Sequence, residues 1–243
     1  MRAMVLAAGL GTRLRPLTNG RPKALVGLGG RTLLDITLSR LRRSGVNDVI
    51  INAHHFADML SDYLEANQNF GMNVEVSREE VLLDTGGGLK KAAHFFADST
   101  EPFLLHNVDV LSNIDLRAMM QLHGEQNALA TLAVQDRPSS RQLLFNSNAQ
   151  LCGRRTEAGD EIARPATPMT PLAFSGIHVI SPRIFSLMEE DGAFSIIDSY
   201  LRLAGKGDKI IAFGADQYYW RDLGTLESLA TAEEDIQRGL IAI

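Results

Sequence analysis

Through the first half of the chain, short apolar runs alternate with stretches whose apolar residues recur every three or four positions. No other feature constrains the fold as strongly. Residues 3–8 read as a strand buried on both faces, and residues 33–44 as a helix with Leu34, Leu38 and Leu41 on one side. Strands at 49–52, 73–77, 103–107 and 128–134 then alternate with helices at 57–67, 88–96 and 116–124. A strand that must return parallel to its neighbour needs a crossover, and a helix supplies it. The expected fold is therefore α/β, with a mainly parallel sheet and helices on both faces.

The pattern changes in the second half. Runs at 142–145 and 150–153 flank Asn146-Ser147-Asn148, a hairpin signal. Residues 154–171 are polar and carry Pro165, Pro168 and Pro171, so they read as an exposed loop. Strands at 174–180 and 210–213 and helices at 196–203 and 225–238 follow. The expectation is one domain, 1–243, with a mixed, mainly parallel sheet and a small antiparallel excursion. A length of 243 residues suits one such domain. No repeat and no low-complexity tract is present.

Composition excludes several function classes. A formal charge of −5 argues against binding a nucleic-acid backbone. The single cysteine, Cys152, makes neither an internal disulfide nor a thiolate metal cluster. The apolar start is cut short by Gly9-Leu10-Gly11-Thr12-Arg13, and no run nears the roughly 18 residues of a membrane span. A cytoplasmic location without membrane or nucleic-acid partners is expected, as a monomer or small homo-oligomer.

Ligands of such sheets bind beyond the carboxyl ends of the strands, which points to Gly9, Asn52, Thr85 and Asn107 onward. Directly after the first strand come Ala7-Ala8-Gly9-Leu10-Gly11-Thr12-Arg13, with Pro22-Lys23 further on. Gly9 and Gly11 let backbone amides approach a phosphate closely, and Thr12 adds a hydroxyl. Arg13 presents a planar fork of donors and Lys23 a compact charge. Two common phosphate motifs fail. The dinucleotide fingerprint meets Leu14 where its third glycine belongs, and no Gly-Lys-Ser/Thr of a P-loop exists. A ligand-free pair of turn glycines is the alternative reading.

Asp109 follows an apolar strand, and Asp222 lies in Trp220-Arg221-Asp222-Leu223-Gly224-Thr225 before the last helix. Alone, Asp109 reads more readily as a helix cap or loop residue, and Asp222 has a structural corner that caps the last helix as its alternative. Leu83-Asp84-Thr85-Gly86-Gly87-Gly88-Leu89 is read as a glycine-rich loop open to close approach. Arg154, Arg155 and Arg164 are loop cations, His54 and His55 surface or shell residues at a strand end, and Arg40-Leu41-Arg42-Arg43 a solvated helix face.

The whole string from Leu6 to Thr18, with Pro22-Lys23-Ala24-Leu25, resembles the signature of the sugar-1-phosphate nucleotidyltransferases. Trp220-Arg221-Asp222-Leu223-Gly224-Thr225 matches the family's Trp-x-Asp-x-Gly-Thr. The nearest patterns are the short N-acetylmuramate-1-phosphate uridylyltransferases and the mannose-1-phosphate guanylyltransferases. This resemblance implies a Rossmann-like nucleotidyltransferase domain with a nucleotide-binding part at about 1–135 and a sugar-binding part at about 136–243. A sugar 1-phosphate would attack the α-phosphorus of a nucleoside triphosphate and release pyrophosphate. It implies Arg13, Lys23 and Asp109 as catalytic, with Mg²⁺ held by Asp109 and Asp222. Ala7, Ala8, Gly9, Gly11, Thr12, Arg13, Lys23, Thr85, Gly86, Gly87 and Asn107 would contact the nucleotide. Ser175 and Gly176 would contact the sugar. The spelling Asp84-Thr85-Gly86-Gly87-Gly88 resembles the uridylyltransferases and favours UTP. Val108 stands where relatives often carry glycine or serine, and the Glu-Lys-Pro segment that in many relatives grips the sugar phosphate is missing. Arg154, Arg155 or Arg164 are candidates for that role.

Three other readings compete: a guanylyltransferase using GTP, a nucleotide-sugar-binding regulatory domain without turnover, and a dinucleotide-binding oxidoreductase. Retention of both acids speaks against the regulatory domain, and Leu14 with Pro22-Lys23 against the oxidoreductase.

Overall fold

Strands form where apolar side chains run on without interruption, and helices where they recur on one face. In the computed structural model, which describes residues 1–243, the chain begins with β1 (Arg2–Leu6). The short strands β2 (Gly27–Leu28) and β3 (Arg31–Thr32) follow. Next come α1 (Leu33–Arg43), β4 (Asp48–Ala53), α2 (Ala57–Ala66) and β5 (Asn73–Arg78). The middle holds α3 (Asp84–Lys91), β6 (Phe103–Asn107), β7 (Val110–Ser112), α4 (Leu116–Gln126) and β8 (Ala130–Gln135). Four strands succeed one another in β9 (Gln142–Phe145), β10 (Leu151–Thr156), β11 (Gly159–Ile162) and β12 (Thr170–Ile180). The chain ends with α5 (Ile196–Gly205), β13 (Ile210–Gly214), β14 (Trp220–Asp222) and α6 (Leu226–Gln237).

These elements belong to two compact units. Unit 1 comprises Met1–Leu83, His106–Ile114 and Tyr218–Ile243, and unit 2 comprises Asp84–Leu105 and Asp115–Gln217.

In unit 1, β1, β4 and β5 pair in parallel. β1 pairs with β4 in the register Ala3↔Val49, and β4 pairs with β5 in the register Val49↔Val74. The Thr32 hydroxyl caps α1 by accepting from the Asp35 amide at 3.1 Å. Leu34, Leu38 and Leu41 are fully buried, as the helical period predicts. Arg40 departs from the expected solvated face. Its guanidinium turns inward to the His106 ring at 2.8 Å and donates to the Ile114 carbonyl at 2.6 Å. A long stem lets the residue cover apolar surface while its head satisfies buried acceptors. A second core joins Leu14, Val26, Leu33, Leu111, Leu223 and Leu229. Each contributes about 1.5–3 kcal/mol by burial.

Unit 2 has the strand order β11-β10-β9-β12, all antiparallel, and β12 also pairs antiparallel with β8, which pairs parallel with β13. The antiparallel excursion thus takes in β8 and β12 as well as the expected hairpin. Residues 154–171 are not one open loop. Their first part extends β10 and returns as β11, through a turn whose Gly159 has φ +120°. Arg154–Glu161 and Arg155–Asp160 ion pairs bridge the two strands. β11 is exposed throughout, so its polar sequence suits a strand at a sheet edge.

The helix expected at 88–96 begins four residues earlier. Gly86, Gly87 and Gly88 lie inside α3, buried. A Cβ at Gly86 would come within 2.3 Å of the Phe194 ring, so α3 packs closer to that segment than any larger residue permits. Close packing outweighs the poor helix propensity of three glycines.

Candidate functional site

In unit 1, β1 leads into the glycine loop. The Ala7 amide donates to Asn52 Oδ1 at 2.7 Å. Gly9 is exposed, and a Cβ there would meet nothing within 4 Å. Gly11 is different. Its φ of +62° is left-handed, and a Cβ would lie 3.0 Å from Thr18 and 3.1 Å from the Lys23 stem. A single 3₁₀ turn, Thr12–Leu14, follows, closed by Leu14 N–H and Thr18 Oγ1 both donating to the Gly11 carbonyl at 2.9 Å. Leu14 is buried in the second core, which leaves Thr12 and Arg13 exposed. An apolar anchor explains why the third position of the glycine motif is leucine.

Pro22 precedes a second 3₁₀ turn, Lys23–Leu25, whose Ala24 and Leu25 are buried. Lys23 Nζ donates to Asp109 Oδ2, an ion pair in which both side chains are at most 15% exposed. The Val108 amide donates to the Leu6 carbonyl at 3.1 Å, which fixes the approach to Asp109 beside the end of β1. Asn107 is half-buried, and its carbonyl lies 2.7 Å from His106 Nδ1.

β14 pairs antiparallel with β7 in the register Asp222↔Val110, and the Leu223 amide donates to the Asp109 carbonyl at 2.8 Å. The backbones of two acids far apart in sequence thereby become neighbours. Leu111 and Leu223, one position from this register, sink into the core that also holds Leu14. Burial of these three leucines brings Arg13, Asp109 and Asp222 to the same end of the unit. Asp222 Oδ1 accepts from the Gly224 amide at 2.8 Å, and Ser228 Oγ donates to the Asp222 carbonyl. Thr225, not Asp222, caps α6 by accepting from the Ser228 amide at 3.1 Å. A Cβ at Gly224 would lie 2.6 Å from Arg13 Nη2 and 2.6 Å from Asp222 Oδ1. Glycine here admits the guanidinium beside the carboxylate.

The strand carrying Asp222 is braced from the other side. Asp235 on α6 accepts from Arg221 Nη2 at 2.8 Å and from the Tyr219 hydroxyl at 2.7 Å. The Tyr219 and Arg221 hydrogen bonds hold the Asp235 carboxyl below the usual carboxylate range.

Asp109 and Asp222 offer carboxylate oxygens alone, and no group of three or more His, Cys, Asp and Glu gathers as a metal cage. Two acids with neighbouring cations fit a hard ion such as Mg²⁺, which fills its remaining positions with water and substrate phosphate oxygens.

In unit 2, the Thr85 hydroxyl accepts from the Ile196 amide at 3.0 Å, and the Gly86 and Gly87 amides both donate to the Phe194 carbonyl. Those two amides are committed inside the protein, whereas the Thr85 hydroxyl keeps its proton for a further acceptor. Ser175 and Gly176 sit where the register of β12 against β8 shifts, and Gly176 has φ +72°. Such bulges re-aim side chains and need a residue tolerant of that backbone. The loop arginines are engaged. Arg154 pairs with Glu161 and Asp198, and Arg155 with Asp160. Arg164 donates to the Ala204 carbonyl, the Asp208 carbonyl and Gln150 Oε1.

Sequence reasoning missed Glu79 and Asp235. Asn52 donates through Nδ2 to Glu79 Oε1 at 2.8 Å, and both residues are buried. Within Arg78-Glu79-Glu80, the acid reads as part of a solvated charge run, so the sequence carries no signal for it.

Residues 2–239 match the family model described as nucleotidyl transferase. The N-acetylmuramate alpha-1-phosphate uridylyltransferase of Caulobacter vibrioides is 33% identical over 240 residues, covering 95% of each chain. The mannose-1-phosphate guanylyltransferase of Mycobacterium tuberculosis is 28% identical over 98% of this chain, which spans 65% of that longer protein. A crystal structure of UDP-glucose pyrophosphorylase complexed with UDP-glucose has the same fold, with a TM-score of 0.79, 19% identity and 98% of each chain covered.

Proposed function

The chain belongs to the nucleotidyl transferase family, and from that premise we propose that it makes a nucleotide sugar from a nucleoside triphosphate and a sugar 1-phosphate. The observation that carries this reading is the meeting of Arg13, Lys23, Asp109 and Asp222 in unit 1. An oxygen of the sugar phosphate forms the new bond to the α-phosphorus, and the α–β bridge breaks to release pyrophosphate. The nucleophile is already an anion, so no general base is required. Positioning and charge stabilisation are left as the main tasks.

Each residue has a role suited to its setting. The exposed backbone at Gly9, with open space where a side chain would be, leaves room for a phosphate or base edge beside Ala7, Ala8 and Asn107. Gly11 and Thr12 start the turn that aims Arg13 outward. Arg13 and Lys23 take up negative charge on the departing pyrophosphate, and Lys23 exchanges Asp109 for a phosphate oxygen as it does so. Asp109 and Asp222 would hold Mg²⁺. When bound, that ion neutralises phosphate charge and orients the groups for in-line attack. The sugar contacts at Ser175 and Gly176, and the base contacts at Thr85, Gly86 and Gly87, rest on the family resemblance. Since Phe194 already takes the Gly86 and Gly87 amides, the Thr85 hydroxyl is the favoured base contact of that group.

UTP is the favoured donor, because the Caulobacter relative with 95% mutual coverage is named as a uridylyltransferase of N-acetylmuramate 1-phosphate. The guanylyltransferase similarity supports a second reading, GTP with mannose 1-phosphate. A matrix of four NTPs against several sugar 1-phosphates, read as pyrophosphate release, separates them. The expected maximum is UTP with N-acetylmuramate 1-phosphate. A maximum at GTP with mannose 1-phosphate selects the second reading, and no release with any pair overturns both.

A further inference from the structure

Glu79 is a buried carboxylate that the reaction does not use, only 4% exposed and directly after β5. Its backbone is locked on both sides. The Glu79 amide donates to the Ala53 carbonyl at 2.7 Å, and the Glu79 carbonyl lies 2.8 Å from His54 Nδ1. The side chain turns inward. Oε1 accepts from Asn52 Nδ2 at 2.8 Å, and Oε2 accepts from the Leu83 amide at 3.1 Å. Asn52 in turn accepts the Ala7 amide on Oδ1 at 2.7 Å. Val81 and Leu82 between them point outward, 65% and 38% exposed, so the carboxylate closes the loop from 79 to 83 from within.

We propose that Glu79 is a positioning residue for nucleotide binding, acting through Asn52 on the backbone that leaves β1 at Ala7. The inference rests on the nucleotidyl-transfer reading for what that backbone binds. The hydrogen-bond polarity makes the argument specific. Three N–H donors, from Ala7, Asn52 and the partly buried Leu83, find acceptors here, and the two oxygens of one glutamate side chain accept two of them. Oε1, taking the Asn52 Nδ2 donor, orients the Asn52 amide with its oxygen toward Ala7. Without it, the amide has no reason to prefer that rotamer, and a flipped Asn52 sets its NH₂ against the Ala7 N–H. Glu79 also ties the Ala7 backbone to Leu83, the residue immediately before α3.

Polarity supplies the test. Glu79→Gln leaves one acceptor where two are needed. Asn52→Asp sets two buried carboxylates at hydrogen-bond distance. The double variant N52D/E79Q restores every bond. Its carboxylate at position 52 accepts from Ala7 and from the new side-chain amide at position 79, whose oxygen accepts from Leu83. Glu79→Gln is expected to raise the KM for UTP about tenfold with kcat within about threefold, the sign of lost ground-state binding. Asn52→Asp loses more, in both KM and Tm. The double variant returns the UTP KM to within about threefold of the unaltered protein, because contacting sites couple. Amide hydrogen exchange at Ala7 and Leu83 is followed in parallel. Protection is lost in Glu79→Gln and regained in the double variant. An unchanged KM in Glu79→Gln, or a double variant no better than the worse single, overturns the relay. Should the unaltered protein release no pyrophosphate, the nucleotidyl-transfer reading fails by itself, and exchange at Ala7 and Leu83 still decides the relay.

Discussion

Gly224→Ala asks the most of the described geometry. The added Cβ would stand 2.6 Å from Arg13 Nη2 and from Asp222 Oδ1. Non-bonded heavy atoms settle at about 3.5–4.0 Å, so something must retreat by about 1 Å. Arg13 is exposed and ends a flexible side chain, whereas Asp222 is tied to the Gly224 amide and its backbone to Ser228. The guanidinium therefore moves most. Misplacement by about 1 Å can cost on the order of 10²-fold in rate. We expect kcat/KM for nucleotidyl transfer to fall about 30- to 100-fold, or about 2–3 kcal/mol at 1.4 kcal/mol per tenfold. Stability should barely change. Gly224 has no left-handed backbone, so alanine is tolerated and gains about 0.4–1 kcal/mol through the unfolded chain, offsetting local crowding. Continuous pyrophosphate release and a thermal melt are the assays. In an Arg13→Ala background the same substitution should lose much of its effect, so the two losses combine to less than their product. Turnover near that of the unaltered protein, or fully multiplicative losses, would refute the placement of Arg13 against Asp222.

Lys23→Met removes a cation from a mostly buried pair and leaves Asp109 uncompensated. Expected are a loss of about 1–3 kcal/mol in stability and a 10²- to 10³-fold lower kcat; a full melt midpoint with near-normal turnover would speak against both roles. Chelation by EDTA should stop pyrophosphate release while the melt of the ligand-free protein stays put, and activity that survives it removes the proposed Mg²⁺. Acid should weaken the fold through two histidines of unit 2. Burial pushes His123 down to about 4 and His178 down to about 3 from an ordinary 6.5. Above pH 6.5 both are neutral in either state and cost nothing. As pH falls below 6.5 the unfolded chain binds protons first, so stability drops by several kcal/mol by about pH 4. Melts across pH 7 to 4 should show this limb, and His123→Gln, which keeps amide partners for Thr131 and Ser181, should roughly halve it and leave the His178 share; a flat profile in the unaltered protein contradicts the burial argument.

Local chemistry was legible in the sequence and long-range register was not. Ala7 to Arg13 and Lys23 read as a candidate phosphate-binding turn because glycine, hydroxyl and cation follow one another closely after a strand end. Helix α1 was legible from Leu34, Leu38 and Leu41, each fully buried as the period demands. Strands β7 and β14 are three residues each, too short for alternation to specify a partner. Their pairing comes from Leu111 and Leu223 meeting Leu14 in a common core, a contact no local window contains. Glu79 and Arg40 hide for another reason. Each stands in a charge run, and only the partners Asn52 and Leu83, or His106 and Ile114, turn it inward. Gly86 misleads in the opposite sense, since its freedom serves contact with Phe194 inside α3 as well as any ligand.

Asp109 and Asp222, whose backbones become neighbours through the Asp222↔Val110 register, are proposed to act as one unit in nucleotidyl transfer. Single-turnover pyrophosphate release from UTP and N-acetylmuramate 1-phosphate tests it in Asp109→Asn, Asp222→Asn and the double variant. Members of one catalytic unit are grossly non-additive. Each single variant is expected to lose about 10²- to 10⁴-fold, with the double within about tenfold of the worse single. Losses that multiply, or a single variant that keeps near-full turnover, would mean that the two acids work apart and that Asp222 serves only the turn at Gly224.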